Sequence, residues 1–138
     1  MKIIFLDIDG VMNSAKGKGP YHADMEEEKL LLLKKLINDI HASGIVLISD
    51  RRYSKVYMRH FIDVLNMFAI SYVGMTRLPL DYKVDPYDNR GKQIMDYLIN
   101  SKEEITDILI LDDNDDGISE LFPDEFIKIN RLYGLTIK

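Results

Sequence analysis

Ile3-Ile4-Phe5-Leu6-Asp7-Ile8-Asp9-Gly10-Val11 decides how this chain is read: an apolar run fit for a buried strand stops at two aspartates one residue apart, followed by a glycine. Along a strand, successive side chains point to opposite faces. Past the strand end the backbone is free to bend and bring both carboxylates to one place. The C-terminal edge of a parallel sheet is where open α/β proteins bind their ligands. Two carboxylates there can hold a divalent cation, attack phosphorus, or divide those tasks. Asp and Gly are also ordinary turn residues, so the weight of D-x-D-G comes from what stands at the other strand ends.

Composition sets the frame. The 138 residues suffice for one domain with a single core, and 46% hydrophobic with 30% charged residues is the profile of a globular protein. There is no cysteine, which excludes disulfides, disulfide-linked partners and thiolate metal sites and makes a reducing, cytoplasmic setting the expectation. Met1-Lys2 leads into an apolar run broken by Asp7, too short for a signal peptide. Apolar runs elsewhere, such as Leu30 to Leu33, are far below the roughly 20 residues that cross a bilayer, so no membrane partner is expected. A net charge of −5 argues against strong nonspecific binding to nucleic acid. Yet Lys16, Lys18, Arg51, Arg52, Lys55 and Arg59 sit in two segments that follow strand ends. They form either a local basic rim or ordinary solvated faces.

Apolar strand-like runs span Lys2 to Asp7, Gly44 to Ser49, Ile70 to Gly74 and Asp107 to Asp112, with a shorter one from Phe126 to Asn130. Helical patterns lie between them. Asp24 with Glu27 has the spacing of a capping box, Leu30, Leu33, Ile37 and Ile40 recur at helical spacing, and Gly44 is placed to follow the helix end. A second helix carries Tyr57, Phe61, Val64, Leu65 and Phe68 on its buried face. A third, from about Gly91, carries Ile94, Tyr97 and Leu98, and a short fourth runs from Ile118 to Phe122 before Pro123. Alternation of strands and helices predicts a Rossmann-like three-layer α/β/α fold with a mostly parallel five-stranded sheet. The irregular stretches Ser14 to Ala23 and Met75 to Asn89 are too short for a second domain, so residues 1–138 are read as one domain without a substantial cap.

Three further clusters stand at strand ends. Ser49 precedes Asp50-Arg51-Arg52, where a hydroxyl and free helix-start N–H groups suit a phosphate, although serine there is also an ordinary N-cap. Lys92 opens the third helix after Asn89-Arg90-Gly91. A cation is mildly unfavourable in a first turn, and a bound anion or nearby carboxylates would explain it; a solvated surface lysine is the plain alternative. Ile108-Leu109-Ile110-Leu111 ends in Asp112-Asp113-Asn114-Asp115-Asp116-Gly117, acids that repel one another unless solvent or a cation intervenes. The opening matches a calcium loop, but its twelfth position is Pro123 rather than a glutamate and a strand precedes it. What remains is a carboxylate cluster able to share an ion with Asp7.

In this order, these four motifs resemble those of the haloacid dehalogenase (HAD) superfamily, most of whose members are Mg²⁺-dependent phosphohydrolases working through an aspartyl-phosphate. IIFLDIDGVMNS resembles the first motif, LISDRR the second, the lysine of RGKQIMDYL the third and ILILDDNDD the fourth. DIDGVMNS together with Tyr133-Gly134-Leu135-Thr136 resembles the small, capless branch found in Swiss Army Knife RNA-repair proteins. The second motif of that branch tends to read S-S-S-W-R; here it is Ile48-Ser49-Asp50-Arg51-Arg52, keeping one serine and the final arginine.

The resemblance implies a phosphoric monoester hydrolase with Asp7 as nucleophile and Asp9 as general acid and base. Mg²⁺ would be held by Asp7, Asp112 and the backbone carbonyl of Asp9. Ser49, Lys92, Asp9 and Gly10 would bind the phosphoryl group, with Asn13, Arg52, Asp113 and Asp116 in support. A capless, open site suits a large phosphorylated substrate such as an RNA or DNA end, with Tyr21 or Tyr53 available to stack on a base. Phosphoproteins and small metabolites are the alternatives. So is a weakly active or non-catalytic phosphate-binding module, given the altered second motif.

Overall fold

Strand β1 (Lys2–Leu6) is the axis of the molecule. It pairs in parallel with β2 (Gly44–Leu47) on one side and with β4 (Asp107–Asp112) on the other. The computed structural model describes residues 1–14, 25–77 and 89–136. Its sheet has five parallel strands in the order β3-β2-β1-β4-β5, with β3 at Tyr72–Met75 and β5 at Phe126–Lys128. Lys16, Lys18, Tyr21 and Asp24 lie outside the described residues, as do Pro79 and Pro86.

Period-two alternation along β1 builds both halves of the core. Ile4 and Leu6 join Ile45, Leu47 and Leu111 against α1 (Glu27–Ile40) and α2 (Lys55–Met67), where Leu30, Leu33, Phe61 and Leu65 are buried. Ile3 and Phe5 join Val46, Ile48 and Ile110 on the opposite face, packed against Ile94 of α3 (Arg90–Asn100) and Ile118 of α4 (Ile118–Leu121). Each fully buried Leu, Ile or Phe contributes about 1.5–3 kcal/mol of transfer free energy, so a strand buried on both faces reads as a continuous apolar run. The result is the three-layer α/β/α arrangement that the sequence predicts. Among the described residues every element belongs to the sheet or its two helical layers, with no large cap.

The route of the chain creates the cleft. From β1 it runs through α1 to β2 and through α2 to β3, keeping to one face. It then returns through α3 on the other face to β4, which lies on the far side of β1. The connections leaving β1 and β4 therefore diverge, and the gap between their C-terminal ends is the topological switch point where such sheets bind ligands.

Two local expectations are corrected. Helix α1 takes Glu26, not Asp24, as N-cap, and Glu27 is its first helical residue, so the expected capping box does not form. The Glu26 carboxylate instead accepts the backbone N–H of Ser14 at 2.8 Å, tying the helix start to the loop after β1. At the other end the left-handed residue is His41, with φ of 58°. Gly44 belongs to β2, where a Cβ would come within 2.7 Å of the Ser71 carbonyl oxygen. Close strand approach, rather than helix termination, demands that glycine.

Candidate active site

The ends of β1 and β4 are locked together before any side chain is considered: the Asp7 N–H donates to the Leu111 carbonyl at 3.0 Å. Asp7 and Asp112 consequently emerge side by side, both buried. Asp113 joins them, and the three residues each offer a carboxylate oxygen within 4.8 Å of the others. This is the convergence expected of the first and fourth motifs.

The turn after Asp7 explains the rest of the first motif. The N–H groups of Val11 and Met12 donate to the Ile8 carbonyl, and Gly10 adopts φ of 81° while its N–H donates to Asn13 Oδ1 at 2.9 Å. A Cβ on Gly10 would lie 2.3 Å from Asp113 Oδ2, so glycine is required both by conformation and by the approach of the acid cluster. Asn13 thus shapes the loop, and its Nδ2 also donates to Asp9 Oδ1 at 3.3 Å.

Three acids in one place, two of them buried, call for positive charge. Arg90 answers it: its Nη1 lies 2.9 and 2.7 Å from the two Asp112 oxygens and 3.2 Å from Asp7 Oδ2. Its Nη2 is 3.8 Å from Asp50 Oδ2 at the rim. Burial, then the neighbouring Asp112 charge, push the Asp7 carboxyl well above the usual carboxylate range, with Arg90 opposing. Burial also raises Asp112, against the pull of Arg90 and the Asn114 N–H. Burial alone would weaken the charge on Arg90, but Asp7 and Asp112 together hold it protonated above its ordinary value.

The loop after β4 positions this arginine. Asp116 Oδ2 accepts the Arg90 backbone N–H at 3.1 Å, and the Asp116 carbonyl accepts that of Gly91 at 3.2 Å. A Cβ on Gly91 would sit 2.3 Å from the Gly117 carbonyl oxygen. Helix α3 therefore starts pressed against the acidic loop: Asn89 is its N-cap, accepting the Lys92 N–H at 2.8 Å, and Asp116 satisfies the N–H groups of Arg90 and Gly91 before it.

The remaining expected residues are placed as follows. Asp9 is exposed and held by Arg51, with Nη2 2.6 Å from Oδ1 and Nε 3.0 Å from Oδ2; the Arg51 guanidinium lies 4.8 Å from the centre of the Tyr57 ring. Ser49 is buried, and its hydroxyl accepts the Arg51 N–H at 3.2 Å, capping the 3₁₀ turn Asp50–Tyr53. Arg52 is buried between strand and helix, donating to the Thr76 carbonyl at 3.2 Å, to the Thr76 hydroxyl and to Gln93 Oε1 at 2.9 Å. It braces the second motif against α3. Lys92 lies in the first turn of α3 with an exposed side chain, and the cation seated against Asp7 and Asp112 is Arg90, two positions earlier. A first-turn cation needing an anionic partner was the available signal, and it applies to Arg90 more strongly than to Lys92. Arg131 flanks the cluster, its Nε 3.6 Å from Asp113 Oδ2.

Chemically, the donor set suits a hard divalent cation. Three carboxylates meet at one point with more negative charge than Arg90 neutralises, and all the ligand atoms are oxygens. Mg²⁺ fits such a set. No helix among the described residues is long and apolar enough to cross a membrane.

Comparison with known proteins gives a consistent answer. No curated protein matches the chain. Among solved structures, a chain of the Pnkp1/Rnl/Hen1 complex shares the fold, with a TM-score of 0.55 at 20% identity over 98% of this chain and 47% of that one. This chain thus spans about half the length of that relative. Residues 3–138 match the model of the HAD domain in Swiss Army Knife RNA repair proteins, and the chain belongs to that family.

Proposed function

We propose that residues 1–138 form a single, capless Mg²⁺-dependent phosphatase domain that hydrolyses phosphomonoesters through Asp7, with nucleic-acid ends as the substrate class and the cytoplasm as its setting. The observation that carries this reading is the meeting of Asp7, Asp112 and Asp113 within 4.8 Å at the switch point of the sheet. Family membership supports a phosphatase-type activity, and the family's description supports RNA as the substrate class.

Asp7, Asp112 and the carbonyl of Asp9 would hold Mg²⁺, with Asp113 beside them; the ion supplies neutralisation of charge between carboxylate and phosphoryl group. The Asp7 carboxylate oxygen attacks phosphorus, the bond to the leaving oxygen breaks, and Asp9 gives that oxygen its proton. Water then attacks the aspartyl-phosphate, giving its proton to Asp9 and releasing inorganic phosphate with Asp7 restored. Arg90 takes the phosphoryl-binding part that the motif resemblance assigns to Lys92, with the Ser49 hydroxyl and the Gly10 backbone lining the cradle. Lys92 stands at the rim.

The test is release of inorganic phosphate from p-nitrophenyl phosphate with and without Mg²⁺. A panel of 3′- and 5′-phosphorylated oligonucleotides, phosphopeptides and nucleotides follows. Mg²⁺-dependent release that disappears in Asp7→Asn, greatest on an oligonucleotide end, is the expected result. Release from none of these substrates would overturn the proposal. The clasp of Arg51 on Asp9 favours one competing reading, a binding module without turnover. That module would retain phosphorylated oligonucleotide and release nothing.

A further inference from the structure

We propose that Arg90 is a resident counter-cation that exchanges with the divalent ion for the oxygens of Asp7 and Asp112, withdrawing toward Asp50 when the ion enters. The inference rests on the Mg²⁺ site proposed above and concerns how that site is controlled.

The geometry is specific. Arg90 Nη1 meets both Asp112 oxygens, at 2.7 and 2.9 Å, and Asp7 Oδ2 at 3.2 Å. One nitrogen thus stands between the two carboxylates, which is where an ion ligated by both must stand. Two cations drawing on those oxygens from the same position exclude each other sterically and by charge. Deep burial makes the need for a cation permanent: Asp7 and Asp112 are 2% and 0% exposed. Uncompensated charge there is costly, and an arginine built into the helix start keeps the acids paired until an ion takes over.

A second seat is at hand. Nη2 of the same guanidinium lies 3.8 Å from Asp50 Oδ2, and the Asp50 side chain is 79% exposed. An outward turn of the Arg90 side chain would exchange buried acids for this rim carboxylate, without moving the backbone that Asp116 and the Gly91–Gly117 contact fix in place. There the guanidinium faces the mouth of the cleft, where phosphoryl oxygens arrive and where its planar fork suits them. Ion entry and the release of Arg90 toward substrate would then be one event.

The experiment is calorimetric titration of Mg²⁺ into wild type, Arg90→Gln and Arg90→Lys. It is paired with NMR observation of the Arg90 Nε–H signal in wild type. Exchange predicts at least tenfold tighter Mg²⁺ binding by Arg90→Gln. Arg90→Lys keeps a positive charge but lacks the guanidinium that seats one nitrogen on these three oxygens while the other faces Asp50, so it gains a smaller part of that increase. In wild type the Nε–H signal should move in step with saturation. Binding by Arg90→Gln that is equal to or weaker than wild type overturns the exchange while leaving the Mg²⁺ site standing. An unmoved Nε–H signal at saturating Mg²⁺ does the same, even if the variants fail to fold. Absence of Mg²⁺ binding in all three proteins would remove the metal site and the exchange together.

Discussion

Arg51 clasps Asp9 through both carboxylate oxygens, at 2.6 and 3.0 Å, while its guanidinium lies over Tyr57. Asp9 is 53% exposed, and ion pairs at that exposure contribute only about 0–1 kcal/mol to stability. The clasp therefore matters for orientation: it fixes the direction in which the proposed acid–base carboxylate points, two residues beyond the proposed nucleophile.

If Asp9 handles the proton, Asp9→Asn should lower kcat on p-nitrophenyl phosphate by about 100-fold or more. Arg51→Gln should lower it by about tenfold through lost orientation. Because both changes act on one step, the double variant should be no slower than Asp9→Asn alone. Steady-state kinetics on the four proteins decides the matter, and additive losses would mean that Arg51 acts on something other than Asp9.

Asp7→Asn should separate activity from stability. Turnover should vanish while the fold strengthens at neutral pH. The folded-state pKa of Asp7 is raised by burial and by Asp112. Its contribution to stability is therefore fully present below the unfolded carboxylate value, about 3.9, and is lost as pH rises through the folded value. At neutral pH, above the unfolded carboxylate value, this acid is a net cost that asparagine removes, leaving Arg90 paired with Asp112. Thermal melts should show the variant about 2–8 °C above wild type at pH 7, the gain shrinking toward zero near pH 4. A difference independent of pH would contradict the assignment.

Gly91→Ala probes the seam between α3 and the acidic loop. Alanine is the better helix former by about 1 kcal/mol, yet its Cβ would meet the Gly117 carbonyl carbon and oxygen at 2.6 and 2.3 Å. Backbone against backbone has no side chain to move aside, and overpacking of this kind costs about 1–3 kcal/mol. Urea unfolding should register that loss. Because the same seam carries the Arg90 N–H to Asp116 at 3.1 Å, activity should fall with it.

The parts of this molecule written in local patterns were legible before the structure. The continuous apolar run Ile3 to Leu6 foretold a buried strand, and the acids closing it and Ile108 to Leu111 foretold a shared corner, because strand ends on a parallel sheet have few places to go. The spacing of Phe61 and Leu65 likewise gave α2 its inward face. Residues whose partners lie far along the chain were harder. Arg90 reads as a plain neighbour of Gly91 until β4 brings Asp112 to it across 22 positions. Asp116 reads as one more candidate ligand until the start of α3 brings it an N–H to accept. The capping box at Asp24 and Glu27 had the right spacing, but Glu26 is engaged by the loop after β1 and the helix begins two residues later than the pattern suggests.

The central position of β1 has a bearing on how the molecule breathes. The carboxylate proposed as nucleophile follows directly on a strand with a hydrogen-bonded neighbour on either flank, whereas β3 and β5 each have one. Fraying spreads inward from such margins, so amide protons should exchange early at the borders of the sheet and last beside Asp7. Partial opening can thus loosen the periphery while the reactive corner keeps its shape, and that corner would fail only when the whole fold melts.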